Sequence, residues 1–182
     1  MFSEVQKKKV HHLFNVLDAN QNGVLQMDDF VQVAETIVDK LELTRDSRVT
    51  RLILIKANRL FVQFLIDTNQ PDLSISLWDW MKFFEREIEK DGGLLYHFVH
   101  RTTFHIFSLF DLNGDKHISR EEYEYMWSMY KIPMDEIDFC FAALDKNGDQ
   151  LISVEEMVLA LNDFFYSSKQ DCPGNFVFGK WQ

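Results

Sequence analysis

The chain has 182 residues, of which 46% are hydrophobic, and its formal net charge is −10. This length and composition allow one compact unit with a sizeable core. The acidic balance argues against nucleic acid and against stable association with an anionic membrane, because both partners require a basic surface. Two cysteines are too few for a secreted disulfide framework, and the amino terminus lacks the apolar stretch of a signal peptide. We therefore expect a cytoplasmic protein.

The first predicted element is a helix that leads directly into a polar loop, residues 18–29. Its apolar stripe consists of Val10, Leu13, Phe14 and Leu17, at helical spacing. The loop has oxygen-bearing side chains at positions 1, 3, 5 and 12. Calcium takes roughly six to eight oxygen ligands, which a twelve-residue loop delivers from these side chains and from the backbone carbonyl of position 7. The predicted metal ligands are Asp18, Asn20, Asn22, the carbonyl of Val24, and Asp29.

Position 12 of this first loop is Asp29, where Glu is usual. Because Asp is one methylene shorter than Glu, its carboxylate reaches less far toward the ion. It therefore tends to bind the ion through one oxygen rather than two. Fewer ligands and a tighter cage favour Mg²⁺ and weaken Ca²⁺ binding. We expect Mg²⁺ to compete most strongly at this site.

The second helix–loop–helix unit is predicted to have lost its metal. An amphipathic helix containing Leu52, Ile55, Leu60, Phe64 and Ile66 precedes it, and Trp80, Phe83 and Phe84 give the following helix an apolar face. The loop between them, residues 67–79, needs thirteen residues to complete the pattern and has Pro71 at a ligand position. We expect residues 74–76 to pair with residues 24–26 as short strands.

Asp91, Gly92 and Gly93 punctuate the middle of the chain and predict two halves. Residues 1–91 form the amino-terminal pair of units, and residues 92–182 form the carboxy-terminal pair with a tail. The second half begins with a helix over 94–110 whose Phe104, Phe107 and Phe110 lead into the next loop. We expect the two halves to form one compact unit.

Two further calcium loops follow, at residues 111–122 and 145–156. One such pattern could be an Asx turn that caps a helix, but its repetition favours metal loops. Ser153 is a further candidate, through its hydroxyl or a bound water, and Ile152 is expected to face a partner loop. The predicted ligands of the first of these loops are Asp111, Asn113, Asp115, the carbonyl of His117, and Glu122. Those of the second are Asp145, Asn147, Asp149, the carbonyl of Leu151, and Glu156.

Both of these loops depart from the usual pattern at position 6, where Lys116 and Gln150 replace glycine. Sliding the register by two residues would put Leu109 or Ala143, which cannot ligate, at position 1. A non-glycine residue at positive φ costs roughly 1–2 kcal/mol, whereas a micromolar site is worth about 8 kcal/mol. We therefore keep the register and expect both sites to bind.

Core positions also repeat outside the loops, where metal ligation cannot explain them. A phenylalanine stands four residues before the first residue of each predicted metal loop. A large apolar residue stands immediately before that first loop residue. Tyr123, Met126 and Trp127 mark the helix after the third loop, and Pro133 suits the first turn of the next helix. The repeated core positions are Phe14, Phe107 and Phe141, and Leu17, Phe110 and Leu144.

The tail begins with the helix breakers Cys172, Pro173 and Gly174 and then becomes apolar. Four large apolar residues follow, each worth roughly 1.5–3 kcal/mol when buried. We therefore expect the tail to fill an apolar groove between helices, which would then be closed to a target helix. The four residues are Phe176, Val177, Phe178 and Trp181.

Other functional readings are weaker. His97, His100 and His105 share one predicted helix, but no cysteine or carboxylate completes a transition-metal site at a recognised spacing. Cys140 lies in an apolar run, where burial would make the thiol unreactive, and no catalytic signature accompanies it. We predict that the chain is not an enzyme.

The loops, the defective second loop, the segment 161–165 and the tail segment 175–179 make the chain similar to the four-EF-hand sarcoplasmic calcium-binding proteins of invertebrates. Calexcitin and the luciferin-binding proteins are relatives of that family. The resemblance implies a compact all-α EF-hand fold, a monomer, and a buffer of Ca²⁺ and Mg²⁺. A calcium-regulated carrier of an apolar small molecule, or a sensor with a protein target, remains the alternative. Seven Met against seventeen Phe favour the buffer, since sensors expose Met-rich grooves.

Overall fold

The computed structural model describes residues 2–90, 93–129 and 132–181. Most of the described chain is helical, and short strands lie within the loops. Short 3₁₀ turns cover Met134–Glu136 and Pro173–Phe176. The helices are α1 Glu4–Leu17, α2 Met27–Lys40, α3 Arg48–Thr68, α4 Leu77–Lys90, α5 Gly93–Phe110, α6 Arg120–Met129, α7 Ile137–Leu144 and α8 Val154–Tyr166. The strands are β1 Val24–Leu25, β2 Ile75–Ser76, β3 His117–Ser119 and β4 Leu151–Ser153.

Antiparallel strand pairs join the loops two by two. Leu25 of β1 pairs with Ile75 of β2, and Ile118 of β3 pairs with Ile152 of β4. All four side chains are buried, because position 8 of each loop points into the core. The four helix–loop–helix units therefore form two pairs. The predicted all-α fold and the predicted pairing of residues 24–26 with residues 74–76 are confirmed, and Ile118 is the residue that Ile152 faces.

The repeated core positions before the loops are buried as predicted. Each pair of apolar residues lies on the inner face of α1, α5 or α7, and none is more than 6% exposed. Their burial holds the end of each entering helix against the core. This burial thereby fixes the location of the first residue of each loop.

Aromatic side chains fill the centre of the molecule, where helices from both halves of the chain meet. Trp80 and Phe84 of α4 contact Phe98 of α5 with ring centroids 6.1 and 5.2 Å apart. Phe165 of α8 stacks on Phe84 at 5.3 Å, and Phe64 of α3 stacks on Phe98 at 5.6 Å. These ring contacts pack α3, α4, α5 and α8 around one aromatic centre.

Several predicted core residues are instead on the surface. Leu52, Ile55 and Ile66 of α3 are 44–66% exposed, and Phe104 of α5 is 68% exposed. On α3 the buried face is formed by Ile53, Ala57, Leu60, Phe61, Phe64 and Leu65. The prediction was wrong at these four positions because α3 and α5 carry apolar residues on more than one face, and only packing selects the inner one.

The tail occupies an apolar groove against α7 and α8, as predicted. Val177 and Phe178 are buried, and the Phe178 ring contacts Phe164 of α8 at 5.2 Å. The Phe178 carbonyl lies 2.7 Å from Nε2 of His12 on α1. Gly174 passes so close to α8 that a Cβ there would lie 2.0 Å from the Ala160 carbonyl oxygen. The tail is therefore an integral part of the core.

The predicted division between the two halves falls partly outside the described residues. Asp91 and Gly92, the first residues of the predicted division between halves, are not described, while Gly93 begins α5. Pro133 precedes a 3₁₀ turn that continues into α7, close to the predicted helix start. No helix in the described ranges combines the length and apolarity needed to cross a membrane.

Candidate metal centres

The loop at residues 18–29 is closed by the carboxylates at its first and last positions. Asp18 follows α1 and accepts hydrogen bonds from the backbone N–H groups of Gly23, at 2.8 Å, and Asn22, at 3.1 Å. Asp29, in the first turn of α2, accepts from the N–H groups of Gln26, at 2.8 Å, and Asn20, at 3.3 Å. The predicted first and last ligands therefore face the same loop from opposite helices.

Asp29 is fully buried, and its burial raises the pKa of its carboxyl group above the ordinary value. The nearby Asp18 carboxylate raises that pKa further, while backbone N–H groups oppose the shift. Two buried carboxylates held close together disfavour each other's charge unless a cation neutralises them. This electrostatic tension suits a divalent ion.

The loop at residues 111–122 repeats this arrangement with a longer clamp. Asp111 accepts from the N–H groups of Gly114, at 2.8 Å, and Lys116, at 3.2 Å. Glu122, only 5% exposed, spans the loop and accepts from the Leu112 N–H at 2.8 Å with one oxygen. Its other oxygen accepts from the N–H and the hydroxyl of Ser119, both at 2.9 Å.

The loop at residues 145–156 has nearly the same hydrogen-bond pattern as the loop at residues 111–122. Asp145 accepts from the N–H groups of Gly148, at 2.8 Å, and Gln150, at 2.9 Å. Glu156 accepts from the Lys146 N–H at 2.9 Å and from the Ser153 hydroxyl at 2.7 Å. Burial acts to raise the pKa of Glu156, but these hydrogen bonds outweigh it and the pKa lies below its ordinary value.

The interior positions of the three loops follow the same pattern. At position 3, the Asn20, Asn113 and Asn147 side-chain oxygens accept from the N–H groups of position 5 at 2.8–3.0 Å. At position 5, the side-chain oxygens of Asn22, Asp115 and Asp149 accept from the N–H of position 7 at 2.8–3.0 Å. The side chains at positions 3 and 5 are therefore folded along the inside of each loop. The position-7 residues, which are predicted to ligate through their carbonyls, are Val24, His117 and Leu151.

Backbone conformation at position 6 agrees with the predicted register. Lys116 has φ +69° and Gln150 has φ +67°, although neither is glycine, and Gly23 in the first loop has φ +82°. The left-handed conformation is the sharp turn that brings position 7 back toward the site. The loops thus keep the turn despite the unusual residues.

The donor sets of these three loops fit a hard cation. Within the described ranges, no group of three or more His, Cys, Asp or Glu side chains is arranged to hold a metal by itself. Each loop therefore depends on Asn oxygens and a backbone carbonyl in addition to two or three carboxylates. Oxygen-only sets of this kind are the chemistry of Ca²⁺ and Mg²⁺ rather than of softer metals.

The degenerate loop, residues 67–79, carries an internal cation instead. Asp67, at position 1, forms an ion pair with the guanidinium of Arg101 on α5 and accepts a hydrogen bond from Gln63 at 3.1 Å. Asp79, at the far end, bonds to the N–H and hydroxyl of Ser76, which caps α4. Arg101 thus supplies positive charge to Asp67, the carboxylate that corresponds to the predicted first ligand of the other three loops.

Two contributions were missed by the sequence analysis, which considered Ser153 only as a ligand. Ser119 and Ser153 cap α6 and α8 and orient the clamps Glu122 and Glu156, and the Ser-x-x-Glu spacing could have revealed that role. Arg101 had no local signal, because it lies 34 residues from Asp67.

The three histidines predicted on one helix lie along α5. His97 is exposed, and the ring of His100 packs on Tyr96 with centroids 4.1 Å apart. His105 is partly buried, and burial together with Arg59 and Arg101 lowers its pKa. Cys140 is buried in α7, where burial raises the pKa of its thiol to about 12.

Comparison with known protein families supports this geometry. The model of an EF-hand domain pair matches residues 104–162, and a second EF-hand model matches residues 10–34. The chain is a calcium-binding EF-hand protein. The matched segments contain the three loops described above, and the degenerate loop lies outside both matches.

This EF-hand protein is also similar to proteins with known roles. Mitrocomin of Mitrocoma cellularia is 23% identical over 172 residues, which covers 90% of this chain and 83% of mitrocomin. The calcium-loaded apo form of the coelenterazine-binding protein of Renilla muelleri has a TM-score of 0.82 at 18% identity, covering 98% and 99% of the two chains. The sarcoplasmic calcium-binding protein of amphioxus has a TM-score of 0.72 at 17% identity, covering 98% of each chain. The predicted resemblance is confirmed, and these structural likenesses show the fold.

Proposed function

We propose that this protein is a non-catalytic, monomeric cytoplasmic buffer of Ca²⁺ and Mg²⁺ with three metal sites. The sites are the loops that begin at Asp18, Asp111 and Asp145, with the ligands predicted above. The two EF-hand pairs, residues 1–91 and 92–182, act as one compact unit. Calcium and magnesium ions are its partners, without nucleic acid or stable membrane association.

The observation that carries the proposal is that the tail of the chain fills the groove against α7 and α8. A calcium sensor must offer an apolar groove to its target. In this chain the tail fills that groove with Val177 and Phe178, and Tyr123 donates to the Phe176 carbonyl at 3.3 Å. Because its own tail covers this groove, the chain cannot offer the groove to a target. This supports a protein whose function is the binding of the ions themselves.

The proposed sites differ in ion preference. Glu122 and Glu156 close their loops with a side chain one methylene longer than that of Asp29. A smaller, more rigid cage favours the octahedral geometry of Mg²⁺. We therefore assign the weakest Ca²⁺ binding and the strongest Mg²⁺ competition to the Asp18 loop.

Competition calorimetry tests this assignment. Ca²⁺ is titrated into the full chain with and without excess Mg²⁺, and Asp29→Glu is compared with wild type. The substitution is expected to shift one site from Mg²⁺ toward Ca²⁺ by restoring the two-oxygen clamp, and Asp28→Glu, one residue earlier, is the control. An unchanged competition in Asp29→Glu would contradict the ranking of the sites.

A carrier of an apolar small molecule is the second candidate, and the fold similarity to the coelenterazine-binding protein is what favours it. In this chain the space between the halves is packed with Phe64, Trp80, Phe84, Phe98 and Phe165. A carrier of a molecule in that space would have to open these contacts. Coelenterazine binding to the calcium-free protein, measured by fluorescence, would favour the carrier.

A further inference from the structure

A second candidate site lies on the outer face of α5, beside the Asp111 loop. The cleft has a volume of about 590 Å³ and is lined by α3, α5, α8 and the Asp111 loop. This size is in the range of small-molecule sites. Its floor is one face of α5, because His100, Thr103, Phe104, Phe107 and Asp111 are spaced at helical intervals.

The walls of the cleft are apolar. Phe104 is 68% exposed, and Val154 of α8 is 38% exposed, although both belong to well-ordered helices packed on the core. Phe107 and Val158 extend the apolar surface inward. A large exposed phenylalanine beside apolar neighbours, in a concave surface, is typical of a binding site.

The rim of the cleft is basic, although the chain as a whole has a net charge of −10. Lys56 reaches across from α3 and donates a hydrogen bond to the Ser108 carbonyl, and Lys116 lines the other end from the loop. Among the described residues that line the cleft, only Asp111 carries a carboxylate, and it is the first ligand of a proposed calcium site. Two lysines around an apolar surface suit a ligand with an apolar body and an anionic head.

We propose that this cleft binds an anionic amphiphile with one alkyl chain, and that Ca²⁺ in the Asp111 loop strengthens this binding. A bound Ca²⁺ would neutralise Asp111 and leave Lys56 and Lys116 to attract the anion. By linkage, the anion must raise the Ca²⁺ affinity of that loop by the same factor. The binding itself stands on the cleft alone, whereas the coupling rests on the proposed function.

Calorimetry with decyl sulfate on the full chain tests the binding. One decyl sulfate is expected to bind per calcium-loaded chain, about tenfold more tightly than decyltrimethylammonium, which has the same chain length and the opposite charge. Chelation of calcium is expected to weaken decyl sulfate binding by about fivefold or more. Equal affinity for the two amphiphiles would overturn the assignment of an anion site.

Matched variants locate the site. Phe104→Ser is expected to weaken decyl sulfate about tenfold through lost apolar contact, while Leu159→Ser, which removes a similarly exposed side chain of α8 outside the cleft, is expected to leave it unchanged. The pair Lys56→Gln and Lys116→Gln is expected to remove the preference for the anion. Lys146→Gln, in the Asp145 loop, is the charge control. Equal effects of the cleft variants and their controls would overturn the location.

The coupling and the proposed function fail in different ways. Decyl sulfate binding that is tight but identical with and without calcium contradicts the coupling alone. A calcium titration in which Glu122→Gln removes no site contradicts the proposed function, while the chelated wild type still reports binding to the cleft. Cooperative decyl sulfate uptake by wild type and Phe104→Ser alike would identify general amphiphile binding and contradict the proposal.

Discussion

Lys9 Nζ lies 2.9 Å from the side-chain oxygen of Asn175 and joins the first helix to the tail. The same ammonium group donates to the carbonyl oxygens of Asp163, at 3.2 Å, and Ser167, at 2.8 Å, at the end of α8. Lys9 is fully buried, and its three acceptors are uncharged oxygens. A cation at a helix carboxy terminus is electrostatically favourable, yet its complete burial carries a desolvation penalty.

The Lys9 contacts predict a pH dependence of stability. Burial lowers the pKa of Lys9 to about 8, against 10.5 for an ordinary lysine. Below pH 8 the side chain is charged in both folded and unfolded states, and folding carries the full penalty. Between about pH 8 and 10.5 the unfolded chain binds more protons, so stability rises with pH, by up to about 3 kcal/mol.

Urea denaturation of wild type and Lys9→Met from pH 7 to pH 11 isolates this effect, because the other titrating groups are common to both chains. The free energy of unfolding of wild type minus that of Lys9→Met is expected to increase as the pH rises through about 8. Lys7→Met, which removes an exposed lysine of the same helix, is the control. A difference that stays constant over this range would contradict the lowered pKa.

The tail is expected to contribute strongly to stability. Phe178 is 1% exposed, so Phe178→Ala should cost about 3–5 kcal/mol, whereas Phe104→Ala on the surface should cost well under about 1 kcal/mol. Ending the chain at Ser168 is expected to lower the Tm and to raise the fluorescence of an apolar dye in the calcium-loaded state, with three weaker metal sites remaining. A truncated chain with an unchanged Tm and no added dye binding would favour the sensor or carrier.

Arg101 is expected to stabilise the metal-free loop. Arg101→Gln leaves the nearly buried Asp67 without its counter-charge and should cost about 1–3 kcal/mol, a range that allows for the partial exposure of Arg101. Adding Asp67→Asn should restore part of the loss, because position 67 then no longer carries an unpaired buried carboxylate. Arg120→Gln, which breaks two surface ion pairs, with Glu124 and Asp138, is the control in urea denaturation. A larger loss in the double variant than in Arg101→Gln would contradict this role.

The left-handed residues at position 6 predict stabilising substitutions. Gln150→Gly removes a side chain at φ +67° and should stabilise the chelated protein by about 1 kcal/mol. Gly148→Ala, at φ +75°, should destabilise it by a similar amount. Chemical denaturation with a chelator measures both effects without contributions from the metal. A destabilised Gln150→Gly would show that the side chain contributes more than the strain costs.

Local patterns were sufficient to predict the loops and their pairing. The oxygen spacing identified where each loop begins, and the apolar residue at position 8 predicted that residues 24–26 pair with residues 74–76 and that Ile152 faces a partner loop, whose residue opposite Ile152 is Ile118. The register survived at Lys116 because ligand positions constrain it more than one unfavourable φ angle does. These features depend on neighbouring residues, which the sequence displays directly.

Features that depend on distant contacts could not be predicted in this way. The inner face of α3 was misassigned at Ile55, because its apolar residues surround the helix and packing against α2 and α5 decides between them. The burial of Lys9 depends on oxygen atoms more than 150 residues away. The pairing of Asp67 with Arg101 likewise requires the completed fold.

Native mass spectrometry of the calcium-loaded full chain tests the central claim most directly. Three Ca²⁺ ions per chain are expected, one for each loop with an intact set of oxygen ligands. Glu156→Gln should lower the count to two at limiting calcium, whereas Asp79→Asn in the degenerate loop should leave it at three. A wild-type count of four, or of one, would contradict the assignment of the three loops.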